Sequence, residues 1–275
     1  MTKTIVILAA GMSSRMKKSI DSDIDDSKAD EANKKSKSLI TFGDKPFIYF
    51  LLKNIFEAGF ENVIMVVGKD FDDFKKQLDN LNFNNKLKID YAIQKIPKDR
   101  VKPFGTADAV FQTMDQIEIL KNSIFCVCNS DNLYSTNSLR TIRENAYENA
   151  VLAYDRDSLN FPKERVSSFS ILMTDDNFNL LNFIEKPTQE QVDQNLDSNG
   201  KIRVSMNIFK FNGLQAFDFI KNCPINPIRN EKELPSAIVN MINENDLYMK
   251  GIPIAEHVPD LTSKADINII QKLIE

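Results

Sequence analysis

Between residues 4 and 129 the chain alternates two periodicities, and few folds tolerate that order. "TIVILAA" (4–10), "NVIMVVG" (62–68), "KIDYAIQ" (88–94) and "SIFCVCN" (123–129) are short apolar runs rich in β-branched residues. Helical patterns separate them. In "KPFIYFLLKNIFEAG" (45–59), Ile48, Leu51, Leu52 and Ile55 recur on one helical face, and Gly59 marks the stop. "FDDFKKQLDNL" follows, then "TADAVFQTMDQIEIL", where Thr106 is placed to cap the helix. Strands joined through helices pair in parallel, and the crossovers cover both faces of the sheet. The expected fold is α/β in three layers, α/β/α, with a mostly parallel, mixed sheet of Rossmann-like type.

From about residue 150 the pattern changes. "AVLAYD", "VSSFSILMT", "LLNFIEK" and "IRVSMNIFKF" read as strands joined by turns such as "TDDN" and "DSNG". Helices return at "LQAFDFIKN", "EKELPSAIVNMINEN" and "SKADINIIQKLIE". No Pro/Gly/Ser-rich linker divides the chain, so residues 1–275 are read as one domain, with 1–150 and 151–275 as its halves. Residues 17–36 stand apart, with many charges of both signs and few apolar positions. They are expected to form a solvated, mobile insertion, or a lid over the site they leave from.

Composition removes several classes of function. A net charge of −4 carries no footprint for nucleic acid. The apolar run at the N-terminus is too short to span a bilayer and lacks a signal-peptide pattern, so a cytoplasmic protein with no membrane partner is expected. Three cysteines make no disulfide framework; Cys126 and Cys128, two apart in one strand, share a face and read as core. His257 is the single histidine, which leaves little room for triad chemistry and reads as structural.

The first strand runs into "ILAAGMSSR" (7–15), at the sheet edge where such folds bind ligands. Gly11 can adopt a backbone closed to other residues, and Ser13 and Ser14 are small enough for phosphate to approach main-chain amides. Arg15 adds a charged fork suited to phosphate oxygens. A P-loop fails on spacing, and a dinucleotide fingerprint fails because only Gly11 is present.

Five ordered stretches carry a resemblance. "LAAGMSSRM", "YAIQKIPKDRVKPFGTADAV" (91–110), "CNSDNLY" (128–134), "FIEKP" (183–187) with "VSMNIFKF" (204–211), and "VPDLTSKADI" (258–267) together resemble the sugar-1-phosphate nucleotidyltransferases. These have the glycosyltransferase-A-like fold, and the likeness is to glucose-1-phosphate thymidylyl- and uridylyltransferases. The chain departs from the pattern in two places. Ser13 stands where a second glycine is usual. The expected phosphate-clamping lysine is displaced across the insertion, with Lys37 in "SKSLI" the best match and Lys34 and Lys35 competing.

The resemblance implies transfer of a nucleotidyl group from an NTP, UTP or dTTP favoured, to a sugar 1-phosphate. It implies Mg2+ held by Asp131 and Asp260. It gives Arg15, Lys37 and Asp131 catalytic roles. Leu8, Ala10, Gly11, Ser13, Gln94, Gly105 and Thr106 would hold the nucleotide, and Glu185, Lys186 and Asn207 the sugar phosphate. Asp108 is left between a base contact and a helix-dipole role. Because Glu185 and Lys186 would point opposite ways in a regular strand, an irregular strand end before Pro187 is expected. Two other readings stay open: a CTP-dependent cytidylyltransferase acting on phosphocholine, and an inactive regulatory subunit. A nucleotide-sugar-dependent glycosyltransferase is disfavoured, because "NSDN" offers a single aspartate. A homo-oligomer also stays open.

Overall fold

The computed structural model describes residues 1–19, 24–69, 71–81, 83, 86–244 and 247–274. The main sheet runs Lys250–Ile254, Ala150–Asp155, Arg203–Asn212, Ile124–Asn129, Thr4–Leu8, Asn62–Val67, Lys88–Ile93, with two further strands, Ile171–Thr174 and Leu180–Ile184, branching from Arg203–Asn212. Thr4–Leu8 lies between parallel partners, Leu8 meeting Asn129 on one side and Val66 on the other. Arg203–Asn212 runs antiparallel to both of its neighbours and makes the sheet mixed. A strand from residues 151–275 therefore pairs directly with one from residues 1–150.

Period-two alternation sorts the side chains between the two faces. Ile5, Ile7, Cys126, Cys128 and Met65 join Ile48, Leu51, Leu52 and Ile55 of the Phe47–Glu57 helix. Val6, Val66 and Val127 face the opposite way, onto Val110 and Met114 of the Thr106–Gln116 helix. Each fully buried aliphatic side chain contributes roughly 1.5–3 kcal/mol, so both helical layers are held mainly by this sorting. Burial pushes the Cys126 thiol up to about 12, as befits a core residue.

Two expectations are corrected. Thr106 does not cap its helix. Gly105 takes the N-cap position at φ 103°, and Thr106 Oγ1 instead accepts the N–H of Leu234 at 3.0 Å. A side chain at residue 105 would bring its Cβ within 2.3 Å of the Lys232 carbonyl, so only glycine lets the strand Glu231–Lys232 lie there. Within the charged insertion, Asp26–Lys34 is a helix rather than a solvated loop. Its start is capped by Asp25, which accepts the Ser27 N–H at 2.8 Å. Glu31 ties it to Thr41 at 3.0 and 2.9 Å, and Ile24 and Ala32 pack into a third core cluster. Asp26, Asp30 and Lys34 line its outer face. Two apolar anchors are too few to show as periodicity. Residues 20–23 of the insertion lie outside the described residues.

That third cluster joins Met16, Ile40 and Phe47 to Leu261, Ile267 and Ile270. Lys264, nearly buried, donates its backbone N–H to Ser19 Oγ at 3.0 Å and its ammonium to the Ser19 carbonyl at 2.7 Å. Among the described residues no helix is long and apolar enough to cross a membrane.

Candidate active site

The carboxyl ends of Thr4–Leu8, Lys88–Ile93 and Ile124–Asn129 open into a cavity of about 360 Å3. Leu8, Ala10, Gly11, Ser13 and Arg15 form one wall, Gln94, Gly105 and Thr106 another, and Lys37 and Asp131 close it. All ten nucleotide-binding and catalytic candidates thus meet in one place.

Gly11 does not use the special backbone expected of it. Its φ lies outside the left-handed region, and a Cβ there would meet nothing within 4 Å. The small residue leaves open space on the cavity side rather than relieving strain. Ser13 takes the left-handed conformation instead, at φ 54°. Its hydroxyl accepts the Lys37 N–H at 3.1 Å, fastening the loop to the chain that re-enters after the insertion.

That bond separates the three competing lysines. Lys34 pairs with Asp30 at 2.8 Å and Lys35 with Glu31 at 2.6 Å, both on the insertion helix. Lys37 lines the cavity and forms an ion pair with Asp131, both side chains mostly buried. Arg15 reaches the same cavity, and no carboxylate among the described residues pairs with it. Lys102 lines the wall as well, so an acidic chain gathers cations at this one site.

Asp131 and Asp260, far apart in sequence, are brought together by backbone. Asn132 and Asp260 face each other in an antiparallel bridge. Leu133 N–H donates to the Pro259 carbonyl, and Leu261 N–H to the Asp131 carbonyl, each at 2.8 Å. Burial, and then the charge of Asp131, push the Asp260 carboxyl up, against the pull of Arg165. Arg165 donates to Asp260 Oδ2 at 2.7 Å and also pairs with Asp266. Their carboxylates are hard-oxygen donors of the kind a divalent cation takes with phosphates and waters, and here Asp131 is held by Lys37 and Asp260, off the cavity wall, by Arg165 and Thr262. No cluster of three or more His, Cys, Asp or Glu suited to a metal occurs among the described residues.

Gln94, 4% exposed, holds a fixed posture. Its amide nitrogen donates to the Gly105 carbonyl at 3.1 Å and to Asp108 Oδ2 at 2.8 Å. Asp108 is buried, is not part of the cavity wall, and accepts from both Gln94 and Gln112.

The sugar-side candidates are placed differently. Glu185, Lys186 and Asn207 do not line this cavity. Leu180–Ile184 ends before them, and Lys186 has φ 47°, the irregular strand end expected before Pro187. Glu185 pairs with Arg229 at 3.1 Å, and Arg229 also holds Glu233 at 2.6 Å. Asn207 is exposed within an otherwise buried strand, at φ 56°, where the pairing with Ala150–Asp155 shifts register. His257 accepts the Asn160 N–H through Nδ1 at 3.1 Å and lies edge-on to Phe161; burial, then Arg165, lowers its pKa.

Sequence reasoning missed Arg165 and Thr262, and it missed the bond between Asp108 and Gln94. Thr262 lines the cavity and donates its hydroxyl to Asp260 at 2.8 Å. Only the four-residue spacing of Asp108, Gln112 and Gln116, polar steps along one helix face, was there to be read.

The described fold has known counterparts. It is similar over 100% of this chain and 98% of the other to the crystal structure of a UDP-glucose pyrophosphorylase complexed with UDP-glucose, with a TM-score of 0.69 and 16% sequence identity. The model of the family described as nucleotidyl transferase matches residues 32–253, most of the chain though not the glycine loop or Asp260. With that match over a fold and cavity of this kind, the chain belongs to the nucleotidyl transferase family.

Proposed function

We propose that this enzyme transfers a nucleotidyl group from a nucleoside triphosphate, UTP or dTTP favoured, to a sugar 1-phosphate, in a magnesium-dependent reaction that releases pyrophosphate. The observation that carries the reading is the meeting of the Gly11–Ser13 loop, Arg15, Lys37, Asp131 and Gln94 around one cavity. The UDP-glucose bound to the structurally similar protein is consistent with it.

In this reaction a phosphate oxygen of the sugar phosphate attacks the α-phosphorus. A new P–O bond forms there as the bond to the β-phosphate oxygen breaks, and pyrophosphate leaves. A phosphate monoester has a second pKa of about 6, so the attacking oxygen is already deprotonated near neutrality and no general base is needed. The histidine-poor composition suits this. What remains for the protein is positioning and charge neutralisation. Arg15 and Lys37 stabilise charge on the departing pyrophosphate, while amides of the Gly11–Ser13 loop hold the phosphates. Gln94 reads the base against Gly105 and Thr106. Asp131 and Asp260 would hold Mg2+, which when bound neutralises charge on nucleotide and sugar phosphates. Glu185 and Asn207 take sugar hydroxyls, and Lys186 the sugar phosphate.

The test is pyrophosphate release from UTP, dTTP, CTP, ATP and GTP, each offered hexose 1-phosphates and phosphocholine, with Mg2+ or EDTA. Release with a sugar phosphate that vanishes in EDTA and in Asp131→Ala is expected. Release with phosphocholine alone would replace the acceptor. Silence with every pair, from a protein that binds nucleotide, would overturn the catalytic reading.

A further inference from the structure

We infer that Asp108, braced by Gln112, is a positioning residue that locks Gln94 with its carbonyl oxygen toward the cavity, so that the site accepts uracil or thymine and rejects cytosine. The inference rests on the proposed nucleotide site and deepens it.

An amide side chain can present either end, and on its own Gln94 suits any pyrimidine. Here its orientation is decided by partners that only accept. Asp108 Oδ2 and the Gly105 carbonyl take both N–H groups of Gln94, at 2.8 and 3.1 Å. Turning the amide over would set its oxygen against a buried carboxylate and a carbonyl at once, and neither could offer it a donor. Asp108 is itself held. Gln112 donates to the same Oδ2 at 2.9 Å, and its other N–H goes to the Lys95 carbonyl at 3.0 Å. Gln112 Oε1 accepts the Lys95 N–H at 2.8 Å, which settles that amide too. One turn further on, Gln116 repeats the two-way grip on the backbone of Ile93, at 3.0 Å both ways. Each link from the main chain to Gln94 therefore has one satisfactory orientation.

What remains is Gln94 Oε1, which has no donor among the described residues, on a side chain that lines the cavity and is 4% exposed. An acceptor that opens on the cavity without a protein partner is free to take a donor from a ligand. Uracil and thymine carry a ring N3–H. Cytosine has a lone pair on N3, which would face the Gln94 oxygen. A mismatch of this kind leaves both acceptors unpaired on binding and costs discrimination of about tenfold or more. Guanine also carries a ring N–H, so the selection concerns the pyrimidines.

The test is calorimetric titration of the full chain with Mg·UTP, Mg·dTTP and Mg·CTP, with no sugar phosphate present. The wild type should bind UTP and dTTP at least about tenfold more tightly than CTP. Asp108→Leu, which removes the acceptor, should bring the UTP-to-CTP ratio to within about threefold of unity. Asp108→Asn keeps an oxygen able to accept from both glutamines and should retain most of the preference. General damage to the fold would weaken all three nucleotides together, so the ratio isolates base reading. Equal affinity for UTP and CTP in the wild type overturns the inference and leaves the nucleotide site intact. So does a ratio that survives in a folded Asp108→Leu. Failure to bind any of the three would overturn the nucleotide site itself, and the inference with it.

Discussion

The glycine loop, Gln94 and Asp131 of residues 1–150 follow parallel strands, whereas the candidates Lys186 and Asn207 of residues 151–275 sit at breaks in antiparallel ones. The glycine loop, Gln94 and Asp131 each come just after a strand whose pairing is regular to its end. Lys186 and Asn207 sit instead where the backbone turns left-handed, at φ 47° and 56°. Tyr134 secures the second of these breaks from beneath, its hydroxyl donating to the Met206 carbonyl at 2.7 Å. In the first region the fold supplies the edge and the loop residues supply the chemistry. In the second, local backbone strain aims the side chain, and the sheet must stabilise that strain. On the proposed function, nucleotide recognition would be tied to regularly paired strands and acceptor recognition to breaks in the pairing.

The contrast can be tested by substitution. The largest effect is expected for Asp131→Ala, with pyrophosphate release falling by about 1000-fold or more while the thermal midpoint changes little. A large loss of midpoint would mean that the Lys37–Asp131 pair holds the fold instead. Gly105→Ala should destabilise by about 3 kcal/mol in urea unfolding, because its Cβ meets the Lys232 carbonyl at a φ that side chains avoid. Lys186→Ala should raise the KM for the sugar phosphate by about tenfold or more and leave the affinity for UTP unchanged. Equal weakening of both substrates would erase the division between the two regions. Asn207→Gly should separate side chain from backbone: stability stays within about 1 kcal/mol, since glycine adopts the same φ freely, while the acceptor KM rises.

The smallest effect concerns His257. Its pKa in the folded chain lies below the ordinary value near 6.5, through burial and the neighbouring Arg165. The unfolded chain therefore binds the proton first, and this residue's stability contribution is lost as pH falls from 6.5 toward the folded value. Thermal midpoints between pH 7 and pH 5 should fall more steeply for the wild type than for His257→Gln. Identical slopes would place the histidine in a solvent-like setting.

What could be read from sequence follows the range of the interactions involved. The alternating strands and helices, the two cysteines sharing a face and the phosphate loop are local patterns. The structure places the loop at the sheet edge, as expected. The nearness of Asp131 to Asp260 could be stated only through a resemblance, because it depends on two backbone bonds between distant loops. Thr106 was misread because its partner, the Leu234 N–H, comes from an element with no local trace in the helix sequence. The insertion helix was missed because a short amphipathic stretch with two buried residues looks like a charged loop. Which end of Gln94 its neighbours hold could not be read at all, since it depends on Asp108, a carboxylate on the helix Thr106–Gln116.

The contact between Lys264 and Ser19 also bears on how the molecule assembles. It spans 245 positions, and the cluster beside it includes Met16, which lines the cavity. Contacts of such separation form only after intervening chain has been organised, because loop closure costs entropy before it returns any contact. The parallel sheet of the first half can gather from nearer neighbours. The Gly11–Ser13 loop, although it directly follows the first strand, is then among the later parts of the molecule to become rigid. A fragment that stops before residue 258 would keep the sheet edge and lack a finished site.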